Sequence, residues 1–272
     1  MPDQRTKASA FLELHRPGTP LLLPNPWDPG SARLLESLGF SALATTSSGS
    51  AATLGRPDGA MRREEAIAHA ASIAAAVGVP VSADLEEGFA DGPQDVARTI
   101  ELAIDAGLAG GSIEDFTRHQ DEAIYELGAA VERVAAAAEA AHRGPVHFVL
   151  TARAENHVRG RPDLRDTITR LRRYQEAGAD VLFAPGVSTL DDIRELVTSV
   201  ERPLNVLAVP GCPSVAELAE VGVSRISVGG AFAYAALGAL VEAATELRER
   251  GTYGYLERSR LGQAAARAAF RP

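Results

Sequence analysis

Short apolar runs alternate with amphipathic segments along this chain, and the pattern repeats about eight times. The apolar runs are TPLLLPN, ending at Asn25; FSALATTS, ending near Ser47; PVSADL, ending at Leu85; GGSIED, ending at Asp115; HFVLTAR, ending at Arg153; DVLFAP, ending at Pro185; LNVLAV, ending at Val209; and SRISVG, ending at Gly229. Most do not alternate apolar with polar positions, as expected of strands buried on both faces of a parallel sheet. Each run ends in a polar or glycine-rich stretch, and then apolar residues recur at helical spacing. Examples are REEAIAHAASIAAAVG, DVARTIELAIDAG, AIYELGAAVERVAAAAEAAHR, LRDTITRLRRYQEAG and SVAELAEVG. Several of these segments close on glycine, which terminates helices by adopting the left-handed conformation.

A strand, loop and helix unit repeated without a break in composition predicts an α/β fold of the (β/α)8, TIM-barrel type, one domain over residues 1–272. A doubly wound open sheet is the alternative. It would place a glycine-rich phosphate loop after the first strand, but that strand runs into Pro24-Asn25-Pro26-Trp27-Asp28. The stretch 231–272 includes a helical tail, ending AAARAAF, that is longer than one barrel helix requires. Part of it is expected to pack on, or be swapped with, a neighbouring subunit in a homodimer or homotetramer.

Composition narrows the function classes. A length of 272 residues suits one barrel, since such domains commonly run to about 250 residues. A formal net charge of −9 argues against nucleic acid as a partner, because neutralising phosphates needs a basic face. No apolar run reaches the roughly 18 residues of a membrane span, and the start, MPDQRTKASAFLEL, lacks an apolar signal core. Cys212 is the single cysteine, so no internal disulfide can form and a cytoplasmic location is the default expectation.

Barrel chemistry sits at the C-terminal ends of the strands, and those ends are polar here. The third reads Asp84-Leu85-Glu86-Glu87-Gly88, where residues two apart on a strand would share a face. The fourth ends Glu114-Asp115, and the fifth Arg153-Ala154-Glu155-Asn156-His157. Carboxylates that converge on one mouth repel each other unless protons or a cation relieve them. Asp84, Glu86 and Glu114 are therefore candidate metal ligands. An oxygen-only donor set favours Mg2+, with Mn2+ possible, over zinc. Arg153 offers a planar donor fork for a small anionic substrate; its alternative role is an ion pair with Glu155 or another mouth carboxylate.

At these residues the sequence resembles the isocitrate lyase/phosphoenolpyruvate mutase superfamily. The resemblance is an ordered series over roughly residues 8 to 245. It comprises Asn25-Pro26-Trp27-Asp28, Thr45-Thr46-Ser47, Leu54-Gly55-Arg56-Pro57-Asp58-Gly59, Ala83-Asp84-Leu85-Glu86-Glu87-Gly88-Phe89, Ser112-Ile113-Glu114-Asp115 and Ala152-Arg153. The resemblance implies Mg2+, with Asp84 as direct ligand and Glu86 and Glu114 acting largely through water. It implies 2-oxo acid substrates, or their precursors, and C–C or P–C bonds broken or made next to an enolate. Thr45, Thr46 and Ser47 match the segment that binds substrate, Asp58 matches a catalytic-site residue near substrate and metal, and Arg153 matches a catalytic and substrate-binding arginine. Asn205, on a looser alignment, corresponds to a substrate-binding asparagine.

The series breaks where the reaction is chosen. Isocitrate and methylisocitrate lyases carry a Lys-(Lys/Arg)-Cys-Gly-His loop after the fourth strand, and this chain has Phe116-Thr117-Arg118-His119-Gln120-Asp121-Glu122. The sixth strand ends Ala184-Pro185-Gly186, without the glutamate or histidine of better-known members. The readings are then a lyase forming an enolate, as in oxaloacetate decarboxylation; a phosphonopyruvate hydrolase or mutase; and a barrel that binds a 2-oxo acid without turnover. His119 reads as a solvated loop histidine with an acid/base role as its alternative, His157 as a hydrogen-bonding residue, and Cys212 as a small buried residue.

Overall fold

The structure is a computed structural model, and it describes residues 2–118 and 123–270. Eight strands form one parallel sheet: β1 (Leu21–Leu23), β2 (Leu43–Ala44), β3 (Val81–Asp84), β4 (Gly110–Glu114), β5 (Val149–Arg153), β6 (Val181–Phe183), β7 (Leu204–Leu207) and β8 (Arg225–Ser227). Their order is β1-β8-β7-β6-β5-β4-β3-β2. Across the remaining gap Ala44 N–H donates to Pro24 O at 3.1 Å, which brings the sheet nearly to closure as a (β/α)8 barrel.

The helices are α1 (Gln4–Glu13), α2 (Pro29–Ser37), α3 (Ser47–Thr53), α4 (Arg63–Ala76), α5 (Pro93–Asp105), α6 (Leu127–His142), α7 (Leu164–Glu176), α8 (Leu190–Ser199), α9 (Val215–Glu220), α10 (Ala231–Arg250) and α11 (Leu256–Ala269). Local chemistry sets several starts. Asp28 accepts from Ser31 N at 2.6 Å ahead of Pro29, and Ser214 and Glu217 cap α9 reciprocally.

The helices pack outside the sheet, around Ile73, Ile100, Leu150, Leu171, Leu182 and Ile193. A smaller apolar cluster joins Ala8 and Phe11 of α1 to Leu21, Val149 and Val181 at the starts of the strands, so α1 closes the floor of the barrel. Gly110 makes this approach possible. A Cβ there would lie 2.7 Å from Val149 O and 2.9 Å from the Phe11 ring.

Three departures from the sequence pattern shape the mouth. The second strand stops at Ala44, not near Ser47, because Thr46 caps α3 and turns Ser47 into its first residue. The third stops at Asp84; Glu86 and Phe89 take φ of +48° and +54°, so strand alternation does not relate Asp84 to Glu86. Helix α6 begins at Leu127, because Ile124 forms an antiparallel bridge with Phe116 at the neck of the loop.

The tail is two helices, broken at Gly251 with φ of +62°. Helix α11 folds back on α2. Ala233 is the one buried residue of α10, which leaves Phe232, Tyr234, Leu240 and Val241 exposed. No helix of the described residues is long and apolar enough to cross a membrane.

Candidate active site

A cavity of about 220 Å³ opens at the C-terminal ends of the strands. Thr45, Thr46, Ser47, Asp58, Asp84, Arg153 and Asn205 all line it, so the barrel gathers seven residues singled out from the sequence. Glu114 lies just behind its wall against Arg153, and Glu86 stands next to it, its N–H 3.4 Å from Asp84 Oδ1.

Arg153, the last residue of β5, organises the wall. Strand register sets Glu114 directly beside it and Asp84 on the next strand over. Its Nη1 lies 3.1 Å from Asp84 Oδ1 and 3.0 Å from Glu114 Oε2, and its Nε and Nη2 donate to Glu155 Oε1 at 3.1 and 2.9 Å. The ion pair with Glu155, weighed as an alternative role for Arg153, is therefore present. Burial works against the arginine's charge, but Glu114, Glu155 and Asp84 more than offset it and raise the guanidinium above its ordinary value. Its guanidinium also stands 5.3 Å from the Phe183 ring.

Asp84 is held from three sides. Its N–H donates to Thr45 Oγ1 at 2.9 Å, and its Oδ2 accepts from Ser47 N at 3.1 Å while Oδ1 faces Arg153. The hydroxyl run after the second strand thus positions the carboxylate as well as lining the cavity. Glu86 turns the other way, its Oε2 2.8 Å from Arg118 Nη2; the same arginine reaches Glu87 Oε1 at 2.6 Å and Gly59 O at 2.9 Å. Asp58 stays on the exposed rim, its Oδ1 accepting from Gly59 N.

Asn205 sits deep in the barrel. Its Nδ2 donates to Ser227 Oγ at 3.0 Å, and its Oδ1 accepts from Arg225 Nε at 2.9 Å. Arg225 completes its bonding with Thr151 Oγ1 and His15 Nε2, all neutral groups. Burial, with the charge of Arg153 adding to it, lowers the Arg225 guanidinium to about 9. Asp115 points away from the mouth, accepting from Glu155 N at 2.8 Å, Arg170 Nη1 at 3.0 Å and Tyr174 Oη at 2.6 Å, which ties β4 to β5 and α7.

The sequence reading weighed Glu155 as a partner of Arg153 but missed Arg118, Arg159 and Arg225 as members of this electrostatic system. Arg159 lies 3.6 Å from Glu114 Oε1 and 3.4 Å from Glu155 Oε2, and 3.6 Å over the Phe116 ring. The available signal was charge balance: a mouth rich in carboxylates needs cations, and Arg118 and Arg159 follow β4 and β5, whereas Arg225 opens β8 and gave no such signal. His119 falls outside the described residues, Cys212 is a half-buried free thiol against the core, and His157 buries its Nε2 without a hydrogen-bond partner.

The mouth suits a divalent cation. Burial, reinforced by Asp84, pushes Glu86 up to about 8. Burial also pushes Glu114 well above the ordinary value, with Glu155 and Asp84 adding to it against the pull of Arg153. Negative charge here exceeds what the arginines neutralise, and the donors are hard oxygens. Asp84, Glu86 and Glu114 do not themselves form a tight cage: among the described residues, the ligand atoms that gather within 4.8 Å belong to His142, His147 and Asp180. An open carboxylate set suits an ion that keeps much of its water.

The sequence model of the family described as phosphoenolpyruvate phosphomutase matches residues 11–248. The chain belongs to the isocitrate lyase/phosphoenolpyruvate mutase superfamily. Among solved structures, a Burkholderia cenocepacia J2315 protein named only provisionally as a lyase/mutase is 51% identical, with a TM-score of 0.95 over 99% of this chain and 97% of that one. A 2,3-dimethylmalate lyase of this superfamily is 30% identical, with a TM-score of 0.83 over 93% of this chain and 90% of that one. A phosphonopyruvate hydrolase solved with oxalate and Mg2+ is 25% identical, with a TM-score of 0.81 over 90% and 88%. Superfamily relatives thus include enzymes named for C–C and for P–C substrates, and this chain is an enzyme of that superfamily.

Proposed function

We propose that this superfamily member is a Mg2+-dependent lyase of a small 2-oxo acid or its precursor, with Mn2+ able to substitute. It would break a C–C bond and leave an enolate, as in oxaloacetate decarboxylation or a methylisocitrate-type cleavage run without the cysteine of the Lys-(Lys/Arg)-Cys-Gly-His loop. The observation that carries this reading is the position of Arg153. Its guanidinium lines the cavity, and its Nη1 contacts two of the candidate metal-holding carboxylates, Asp84 and Glu114. A cation at those carboxylates takes over their charge and leaves Nη1 for an anionic substrate group.

Asp84 would hold Mg2+ directly, with Glu86 and Glu114 accepting from its water shell, and the ion would supply Lewis-acid stabilisation of negative charge on the 2-oxo oxygen. The chain's own residues then orient and enclose. Thr45 Oγ1 accepts from the Asp84 N–H and Ser47 N donates to its carboxylate, Glu155 holds the far side of the Arg153 fork, and Asn205 and Arg225 present polar hydrogens at the base of the cavity. Asp58 on the rim stands beside Glu86, whose charge it opposes. Thr46, whose hydroxyl meets Ser48 Oγ at 3.1 Å, shapes the wall that receives the substrate carboxylate.

The exposed apolar residues of α10 support self-association as a homodimer or homotetramer, with α10 packed on a second copy. The single cysteine suits a cytoplasmic enzyme.

The test is turnover of oxaloacetate, alkylmalate-type acids and phosphonopyruvate, with and without Mg2+, in the wild type and in Asp84→Asn. Mg2+-dependent release of a 2-oxo acid or CO2, lost in the variant, is expected. Phosphate release from phosphonopyruvate alone would move the assignment to P–C chemistry, which the oxalate and Mg2+ complex of the hydrolase relative favours as the second reading. Mg2+-dependent oxalate binding with no turnover on any substrate would leave a binding barrel.

A further inference from the structure

The opposite end of the barrel gathers a second set of metal-binding side chains. His142 ends α6, His147 lies just before β5, and Asp180 lies just before β6. Pairing of β5 with β6 brings the three segments together, and Leu150 N–H fixes Asp180 Oδ2 at 2.9 Å. His142 Nε2 is 3.0 Å from Asp180 Oδ2, and His147 Nε2 is 3.0 Å from Oδ1. The two imidazoles stack, with centroids 4.3 Å apart and planes 12° apart. One ligand atom from each residue lies within 4.8 Å of the other two.

We infer that His142, His147 and Asp180 form a transition-metal site of the Zn2+ class, separate from the mouth, which clips the end of α6 to the starts of β5 and β6. Donor chemistry carries the choice of ion. Two imidazoles and one carboxylate favour Zn2+, Co2+ or Ni2+, whereas the all-oxygen mouth favours Mg2+. The carboxylate is 8% exposed and anchored by backbone, while the His142 and His147 side chains are 29% and 44% exposed. An ion therefore meets one fixed ligand and two adjustable ones, with its remaining positions open to water. Zinc–nitrogen bonds of about 2.0–2.1 Å in a tetrahedral site set the donors roughly 3.4 Å apart. The half-exposed His147 ring has the freedom to make that adjustment. Each ring would ligate through Nε2 and carry its proton on Nδ1, giving up its hydrogen bond to Asp180.

His142 also lines an open hollow with Glu139, Arg143 and Gly178, which gives an ion a route from solvent. The mouth lies at the far end of β5, whose five residues span about 13–17 Å. A cation here does not compete with one at Asp84.

The experiment is equilibrium dialysis of the full chain against Zn2+ in excess Mg2+ at pH 7.5, with the bound metal measured directly. Asp84→Asn, His147→Ala, His147→Gln and His142→Ala are compared, and circular dichroism confirms that each variant is folded. One Zn2+ per chain is expected in the wild type and in Asp84→Asn, and Co2+ should give visible absorption bands in both. Affinity should fall in the histidine variants by at least the roughly 10- to 100-fold that losing an outer-shell partner costs. No Zn2+ above a metal-free blank, or binding in the folded histidine variants as tight as in the wild type, would overturn the assignment. Loss of binding in Asp84→Asn alone would place the zinc at the mouth and overturn it equally.

Discussion

Replacing Arg153 by glutamine tests whether the mouth is an electrostatic device or an ordinary ion pair. The substitution keeps part of the volume and removes the charge. It leaves Glu114 and Glu155, whose side chains are 6% and 2% exposed, facing only Arg159 at 3.6 and 3.4 Å. Removing one partner of a buried pair costs about 3–5 kcal/mol, because the other charge stays buried and unpaired. The carboxylates can escape by taking up protons, which makes the loss pH-dependent. Glu114 already titrates well above its ordinary value in the folded chain, through burial first, and losing Arg153 raises it further. Over that window the folded chain holds protons that the unfolded chain has released, so its stability falls as pH rises. The deficit of the variant should therefore be largest at alkaline pH. Urea unfolding in EDTA, followed by circular dichroism, should show a loss of about 3–5 kcal/mol at pH 8 and a smaller one at pH 5.5. Mg2+ should restore part of the loss at pH 8, since the ion supplies the missing positive charge. A deficit below about 1 kcal/mol, the worth of a surface pair, would refute the reasoning. So would a deficit that does not change with pH.

Three further outcomes follow from the same geometry. His15 is buried, and burial with the charge of Arg225 pushes it down to about 3; stability it contributes above pH 6.5 is lost as pH falls toward 3, and His15→Gln should flatten the acid limb by up to about 1.4 kcal/mol per pH unit. Equal slopes for wild type and variant in denaturant titrations between pH 5 and 6.5 would contradict this. Tyr174→Phe deletes the 2.6 Å bond to buried Asp115 and should cost about 1–3 kcal/mol in the same assay; an unchanged midpoint would show that Asp115 does not need it. Gly111→Ala sets a Cβ 2.8 Å from the Phe148 ring and 2.9 Å from Leu85 Cδ1, and should lose roughly 1–3 kcal/mol, whereas Gly128→Ala in α6 meets nothing within 4 Å and should gain about 0.5–1 kcal/mol. Calorimetric melting of the two variants side by side reads the difference in sign.

Hydropathy and punctuation alone determined the barrel. Eight buried strands, each followed by a polar loop and an amphipathic helix, have one common closed solution, and that solution places Asp84, Glu114 and Arg153 at one mouth. The motif order supplied the family, since most of those segments follow strand ends and so fall at the mouth, with residues 54–59 reaching it from the end of α3. What the sequence could not show was how the strands are staggered. Register alone sets Glu114 beside Arg153 and turns a row of polar residues into a three-carboxylate clamp. Local backbone also overrode pattern at Glu86, whose φ of +48° sends its carboxylate to Arg118 instead of into line with Asp84. The floor cluster was illegible for a similar reason: His142, His147 and Asp180 follow no spacing rule, and only the pairing of β5 with β6 makes them neighbours. Chain-local periodicity encodes which face of each element is buried, whereas contacts between elements depend on stagger and loop conformation, which the tertiary structure alone decides.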